Sequence, residues 1–216
     1  MLLLFSGFII LSSRSCVPEQ DTNRPARLKA AQDSTRMTIR KAFASEYLFE
    51  NELMVYEEKA KQKLFDFADY LTLYADHQLD TAFKKQLKNM LFRLFYRTDA
   101  PLALSVIPSQ PVRNTTLALL LESIDASPYT TIKFIATDTR TFVPMHRENA
   151  DLYAGLLGTR ITITATTEND TILLQDAMLS FRIVTKRTQK KFGAAPPQTV
   201  WQVFLDKTET GDTIAP

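Results

Sequence analysis

Residues 161–186 read ITITATTENDTILLQDAMLSFRIVTK, and this stretch decides the fold. Ile161, Ile163 and Ala165 alternate with Thr162, Thr164 and Thr166, the two-residue period of a strand with one buried face. Glu168-Asn169-Asp170 is a turn. A long strand follows over 171–186, in which Leu179, Phe181 and Ile183 hold one phase; the phase changes near Gln175–Ala177, which predicts a bulge there. Downstream, Ala194-Ala195-Pro196-Pro197 tips a loop, and Thr199–Lys207 carries Trp201, Val203 and Leu205 on one face of a last strand. These three runs form an antiparallel meander. Upstream, Ile132, Phe134 and Ala136 mark a shorter strand, and residues 208–216 read as a flexible tail.

Before Pro128 the period changes. No Gly or Pro occurs from Ala26 to Leu79, and Leu53, Tyr56, Ala60, Leu64, Phe67, Leu71 and Tyr74 recur at three- and four-residue steps. That spacing predicts an amphipathic helix over about 45–75. Asp80 is placed to cap a second helix over 81–96, with Phe83, Leu87, Met90, Leu91, Leu94 and Phe95 as its apolar stripe. Pro101, Pro108 and Pro111 exclude a central strand from 101–112, which reads as a connection packed on the core. A short third helix follows Asn114, over Leu117–Ile124. Helices first and strands after predict an α+β fold, N-terminal helices packed on a curved antiparallel sheet.

This element order, with the long strand at 171–186, resembles the NTF2-like (cystatin-related) α+β roll over about residues 45–207. The resemblance implies helices lying in the concavity of the sheet. It also implies that an Asp or His of the roll can abstract protons from a small ligand. The polar runs Asp138-Thr139-Arg140 and His146-Arg147-Glu148-Asn149 read as a link between strands, at the mouth of such a pocket. Asp138, His146 and Asp151 are therefore the candidate contacts, with solvated loop residues as the plainer alternative.

The N-terminus carries a different signal. Residues 2–11, LLLFSGFIIL, would rise about 15 Å as a helix, half the thickness of a bilayer core, which suits the apolar region of an export signal. Small polar residues follow, then Cys16, the chain's single cysteine. The segment resembles a bacterial lipoprotein signal of the Bacteroidota type, although Arg14 stands where a small residue is usual. The resemblance implies cleavage before Cys16, lipidation of its thiol with palmitate-type chains, and residence in the cell envelope, at the outer membrane facing the periplasm. The expected organisation is a signal peptide at 1–15, anchor and tether at 16–40, one α+β domain at 41–207 and the tail at 208–216. Residues 24–41 hold Arg24, Arg27, Lys29, Arg36, Arg40 and Lys41 against Asp33 alone, a net of +5 beside the anchor. Such a segment can lie on anionic headgroups, or it can be a solvated linker.

The remaining chemistry is sparse. The chain has 216 residues with 26 basic and 24 acidic side chains, net +2, so it is no globally basic nucleic-acid binder. One cysteine excludes a disulfide framework, and two histidines, His77 and His146, fall short of a zinc ligand set. The sequence holds no G-x-S-x-G elbow and no glycine-rich phosphate loop. No cofactor or metal is expected. Lys186, Arg187, Lys190, Lys191 and Phe192 read as a basic hairpin tip, suited to an acidic partner, anionic lipid or glycan, or simply to solubility. The leading expectation is a non-catalytic envelope lipoprotein, an accessory or scaffold subunit of a membrane-associated assembly such as a secretion machine. A small-ligand-binding or isomerase-like NTF2-like protein and a cell-wall or glycan-binding module are the alternatives.

Overall fold

The computed structural model describes residues 47–107, 115–168, 170–191, 193 and 196–210. The chain divides into two units, residues 1–41 and 42–216, and every described residue belongs to the second. Cys16, the anchor and tether, Phe192 and residues 211–216 lie outside the described residues.

Helix α1 spans Glu50–Tyr74 and buries Tyr56, Ala60, Leu64, Phe67, Ala68, Leu71 and Tyr74 along one stripe, as its spacing predicts. It starts at 50 because Phe49 is extended and its N–H is taken by the Glu52 carboxylate at 2.9 Å. Helix α2, Thr81–Leu94, is capped by Asp80, whose Oδ1 accepts from Ala82 N at 3.1 Å. It ends two residues early: Phe95 turns extended, and Tyr96 N donates to Leu205 O at 2.7 Å beside the last strand. Leu87, Leu91, Leu94 and Phe95 are buried, but Phe83 is 42 % exposed. The first turn of α2 runs past the core there, and the neighbouring Lys84 turns inward instead, over the Tyr74 ring and towards Asp125. Helix α3, Leu117–Asp125, lies where the sequence predicts and is capped by Thr116, whose hydroxyl accepts from Leu119 N at 3.4 Å. Tyr74 donates to Asp125 at 2.6 Å and so ties α1 to α3; burial, then this bond, raises its pKa.

Four antiparallel strands follow in the order β1-β2-β3-β4: Thr131–Asn149, Leu152–Thr166, Thr171–Lys190 and Gln198–Thr210. The architecture is α+β, helices packed on a curved antiparallel sheet. The first strand departs most from the sequence reading, because residues 138–149 are strand and not a link. β1 uses 19 residues to run beside the 15 of β2, and its ladder shifts register four times, each shift placing one extra residue on β1. Each bulge bends the strand and sharpens its twist, so four in succession curl this edge around the helices. The extra residues also scramble the alternation, and that is why the stretch resembles a loop in sequence.

Backbone groups freed by these bulges find side-chain partners, as buried polar groups must. At the first, Asp138 adopts φ 52, a left-handed conformation that Asp tolerates. Thr159 donates to Thr137 O at 2.9 Å and shares a 2.8 Å contact with the Thr139 hydroxyl. At the third, Met145 N donates to the Glu57 carboxylate of α1 at 2.7 Å. Gly155 allows this approach, since a Cβ there would lie 2.8 Å from Val143 O. The bulge predicted near Gln175 falls at Leu174, because Ile163 pairs with Gln175 and Thr164 with Leu173.

Residues 208–210 are strand, not tail: Thr208 is buried and pairs with Phe181. Thr208 N donates to Pro101 O at 2.9 Å, which holds the proline-rich connection against the edge of β4. Gln175 completes the attachment, donating to Ala103 O and accepting from Ser105 N, both at 3.0 Å. Ala100, Leu102, Ala103, Leu104 and Val106 are buried, as expected for a connection packed on the core.

Candidate functional site

The hollow of the sheet is lined by apolar side chains. Ile132 and Phe134 of β1, Leu157, Ile161 and Ile163 of β2, and Phe181 and Ile183 of β3 are 0–4 % exposed and join Leu64, Phe67 and Leu71 of α1 in one cluster. Phe67 packs edge-on against both Phe95 and Phe181. Two of the buried polar side chains hold backbone, Thr159 at the β1 bulge and Gln175 at the 100–106 connection; Thr185 donates to the Met145 sulfur, and the buried Ser180 hydroxyl has no hydrogen-bond partner among the described residues. Among the described residues the only buried carboxylate is Asp206, and no histidine is buried.

Asp206 belongs to a chain of charges that crosses the outside of the sheet. It is 1 % exposed and accepts from Arg97 Nε at 3.1 Å and from Arg182 Nη1 at 2.7 Å. Arg182 Nη2 continues to both oxygens of Glu148 at 2.6 and 2.7 Å. Burial alone would lower the pKa of this guanidinium, but its bonds to Glu148 and Asp206 outweigh burial and raise it. Glu148 and Arg182 border one space together with Ala154 and Gly155 of β2. That space is an open groove of about 260 Å³, which His146 and Lys207 also line. A guanidinium committed to two carboxylates clamps strands together; to bind a further anion it would have to release one of them.

The sequence candidates do not converge on the hollow. Asp138 is exposed at the first bulge. His146 is exposed on the outer groove, its Nδ1 3.3 Å from Pro144 O. Asp151 sits in the β1–β2 turn, 3.5 Å from Arg187. His77 is exposed between α1 and α2. The basic tip is corrected as well. β3 continues to Lys190, so Lys186 and Arg187 are paired within the ladder rather than at a hairpin end. Lys186 lies over the Tyr96 ring at 5.1 Å, and Arg187 over Trp201 at 5.8 Å. Lys190 ends the strand, Lys191 is exposed, and Phe192 is outside the described residues. Arg97, Arg182 and Asp206 were missed. Their signal was available: Arg182 stands between inward Phe181 and Ile183, and Asp206 directly follows inward Leu205.

A second groove, of about 420 Å³, opens beside α3 between Val106, Ile107, Leu119, Ala126 and Tyr129. Glu122 is on its rim, while Ser123 and Ser127 donate back to the helix carbonyls of Leu119 and Ile124 at 2.8 and 2.7 Å. Among the described residues no cluster of His, Cys, Asp and Glu has the arrangement of a metal site, and no helix is long and apolar enough to cross a membrane.

The geometry defines an α+β protein with helices in the hollow of a four-stranded antiparallel meander. No protein-family model matches the chain, and no curated protein matches it. Among solved structures, a putative scytalone dehydratase from Novosphingobium aromaticivorans aligns with TM-score 0.34 and 9 % identity, over 74 % of this chain and 91 % of that one. Naphthalene 1,2-dioxygenase with indole bound in its active site gives 0.34 and 11 %, over 86 % and 91 %. LinA gives 0.31 and 13 %, over 78 % and 99 %. Similarity this low transfers neither a fold nor a function to the chain.

Proposed function

We propose that this protein is a lipid-anchored envelope protein, an accessory or scaffold subunit that holds a partner in a membrane-associated assembly and performs no chemistry of its own. The observation that carries this reading is the division between the two faces of the sheet. The described inner wall is apolar, and of the polar groups buried with the core Thr159 and Gln175 hold backbone while Thr185 donates to the Met145 sulfur. Asp138, His146 and Asp151 are exposed and are not part of it. General acid–base catalysis needs a titratable group within hydrogen-bond reach of a bound substrate, and a stable apolar wall suits a body that presents its surface. The anchor is Cys16, which follows the apolar run 2–11 and, once acylated, has no thiol left. Several acyl chains give lasting attachment where one does not. Labelling cells with radioactive palmitate tests this: the wild-type protein should be marked and Cys16→Ser should not. An unlabelled wild-type protein, soluble after lysis, overturns the anchor.

A second reading has its own observation. The groove beside α3 is apolar and ligand-sized, and helices in the hollow of a curved sheet suit a small-ligand-binding or isomerase-like protein of the NTF2-like kind. Leu119→Trp should fill that groove; if it abolishes binding of an apolar dye that the parent takes up stoichiometrically, this reading gains over the scaffold. A glycan-binding role loses one support, because Trp201 is buried and offers no exposed platform.

A further inference from the structure

The end of the folded unit at which the chain enters differs from the rest of the surface. Tyr47, Phe49, Met54 and Val55 are all exposed within nine residues, Phe49 by 69 % and Met54 by 63 %. Apolar residues scattered singly on a surface are ordinary, whereas a group just before and within the first two turns of one helix is not. Cations are laid on aromatic rings at the same end. The Arg147 guanidinium is 4.4 Å from the centre of the Tyr47 ring, the Lys59 ammonium 4.7 Å from that of Tyr56, and Arg187 5.8 Å from that of Trp201. The acids at this end are Glu50, Glu52, Glu57 and Glu58 of α1 and Asp151; Glu52 accepts from Phe49 N, Glu57 from Met145 N, Glu58 pairs with Lys61 and Asp151 faces Arg187, so the cations there are balanced by acids and the net positive charge comes from the segment that precedes this end. Exposed apolar side chains, ring-bearing residues and cations together match the headgroup zone of a bilayer, where amphipathic rings settle.

We propose that this end of the unit, built from Tyr47, Phe49, Met54 and Val55 with Arg147 and Lys59 around them, docks on an anionic lipid surface. The occupant follows from charge and chain length. The segment 24–41, which ends six residues before Tyr47, has a net charge of +5 and suits an anionic surface at about 1 kcal/mol per cation. The chain from Cys16 to Tyr47 reaches at most about 110 Å, and this end is the first part of the unit it meets. The proposal rests on the anchored reading for its orientation, yet contact with lipid does not itself require acylation.

The test therefore uses the full chain with Cys16→Ser, which cannot be acylated, sedimented with vesicles of 3:7 phosphatidylglycerol to phosphatidylcholine (about 30 % anionic lipid, a plain charged surface) or of phosphatidylcholine alone. Binding to the anionic vesicles should be at least ~10-fold tighter and weaken with salt. Phe49→Ser/Met54→Ser/Val55→Ser should lose at least ~10-fold of that binding, while Leu73→Ser/Phe83→Ser, exposed apolar positions elsewhere, should keep it. Phe49→Trp should shift its emission to the blue on the anionic vesicles. Equal binding by the triple variant, equal loss in the control, or no shift for Phe49→Trp overturns the proposal. Failure of palmitate labelling would instead remove the anchor and leave this result standing.

Discussion

Replacing Gly155 by Ala should destabilise the protein, and replacing Gly158 by Ala should hardly do so, although the second creates the closer contact. A Cβ on Gly155 would meet Val143 O at 2.8 Å, Met145 N at 3.1 Å and Met145 Cα at 3.2 Å, all of them backbone of the bulged strand. Relief requires β1 to move away from β2 by several tenths of an ångström. That movement also drags Met145 N from the Glu57 carboxylate, now 2.7 Å away. Overpacking of this kind costs about 1–3 kcal/mol, while the loss of glycine freedom in the unfolded chain returns about 0.4–1 kcal/mol. The net is about 1–2 kcal/mol. A Cβ on Gly158 would meet Phe142 ring atoms at 2.0–2.4 Å, but these are the far end of a half-buried side chain that can swing outward. An off-rotamer ring costs about 0.5–1.5 kcal/mol, which the unfolded-state gain largely offsets. Urea unfolding followed by Trp201 fluorescence and circular dichroism reads both. With a slope of roughly 2 kcal/mol per molar, Gly155→Ala should lower the midpoint by about 0.5–1 M and Gly158→Ala by no more than about 0.3 M. Equal midpoints, or a larger loss at Gly158, would show that β1 does not approach β2 as described.

Leu91 is fully buried in α2, so Leu91→Ala should cost about 2–5 kcal/mol in the same assay, whereas Phe83→Ser should change stability by less than about 0.5 kcal/mol. Asp206→Asn removes the charge that Arg97 and Arg182 share; because their side chains are 48 % and 24 % exposed and keep access to water, the cost should be about 1–3 kcal/mol rather than that of a wholly buried pair. Burial, then Glu52, pushes the Tyr56 hydroxyl up to about 12 from 10.0. The raised value means that the folded state holds this proton while the unfolded state ionises. The contribution is therefore intact below pH 10 and is lost as pH rises through 12, at about 1.4 kcal/mol per unit. Tyr56→Phe should flatten the fall in stability over that window, as measured by urea midpoints from pH 9 to 12.

The helices were legible because burial and period agree along them: Tyr56 to Tyr74 is one stripe, and Asp80 is a cap in sequence and in space. The inner strands were legible for the same reason at period two. β1 was not, because local patterning presumes a fixed register, and four extra residues against β2 break it. Its Pro144 and exposed charges suited a loop as well as an edge strand that α1 partly covers through Thr72, which contacts Phe134 N at 2.9 Å, and through Glu57. For the same reason Asp138 and His146 read as residues of a link between strands, whereas both lie within β1. Phe83 shows the converse: a helical period continues past the end of the surface it packs on. Arg182 and Asp206 stand out in sequence as charges beside inward residues, but their assembly with Arg97 and Glu148 does not, because the chain joins four distant segments that only the sheet's register brings together.

The central claim is that this protein holds rather than reacts. It is tested most directly in the native organism by replacing Asp138, His146 and Asp151 with Ala together and asking whether the variant restores the wild-type phenotype to a deletion strain. All three side chains are exposed, so the triple variant should fold, reach its normal location and complement fully. A variant that is folded and correctly located but fails to complement, while changes at Lys190 and Lys191 remain silent, would contradict the account and mark those residues as a reactive or ligand-binding site.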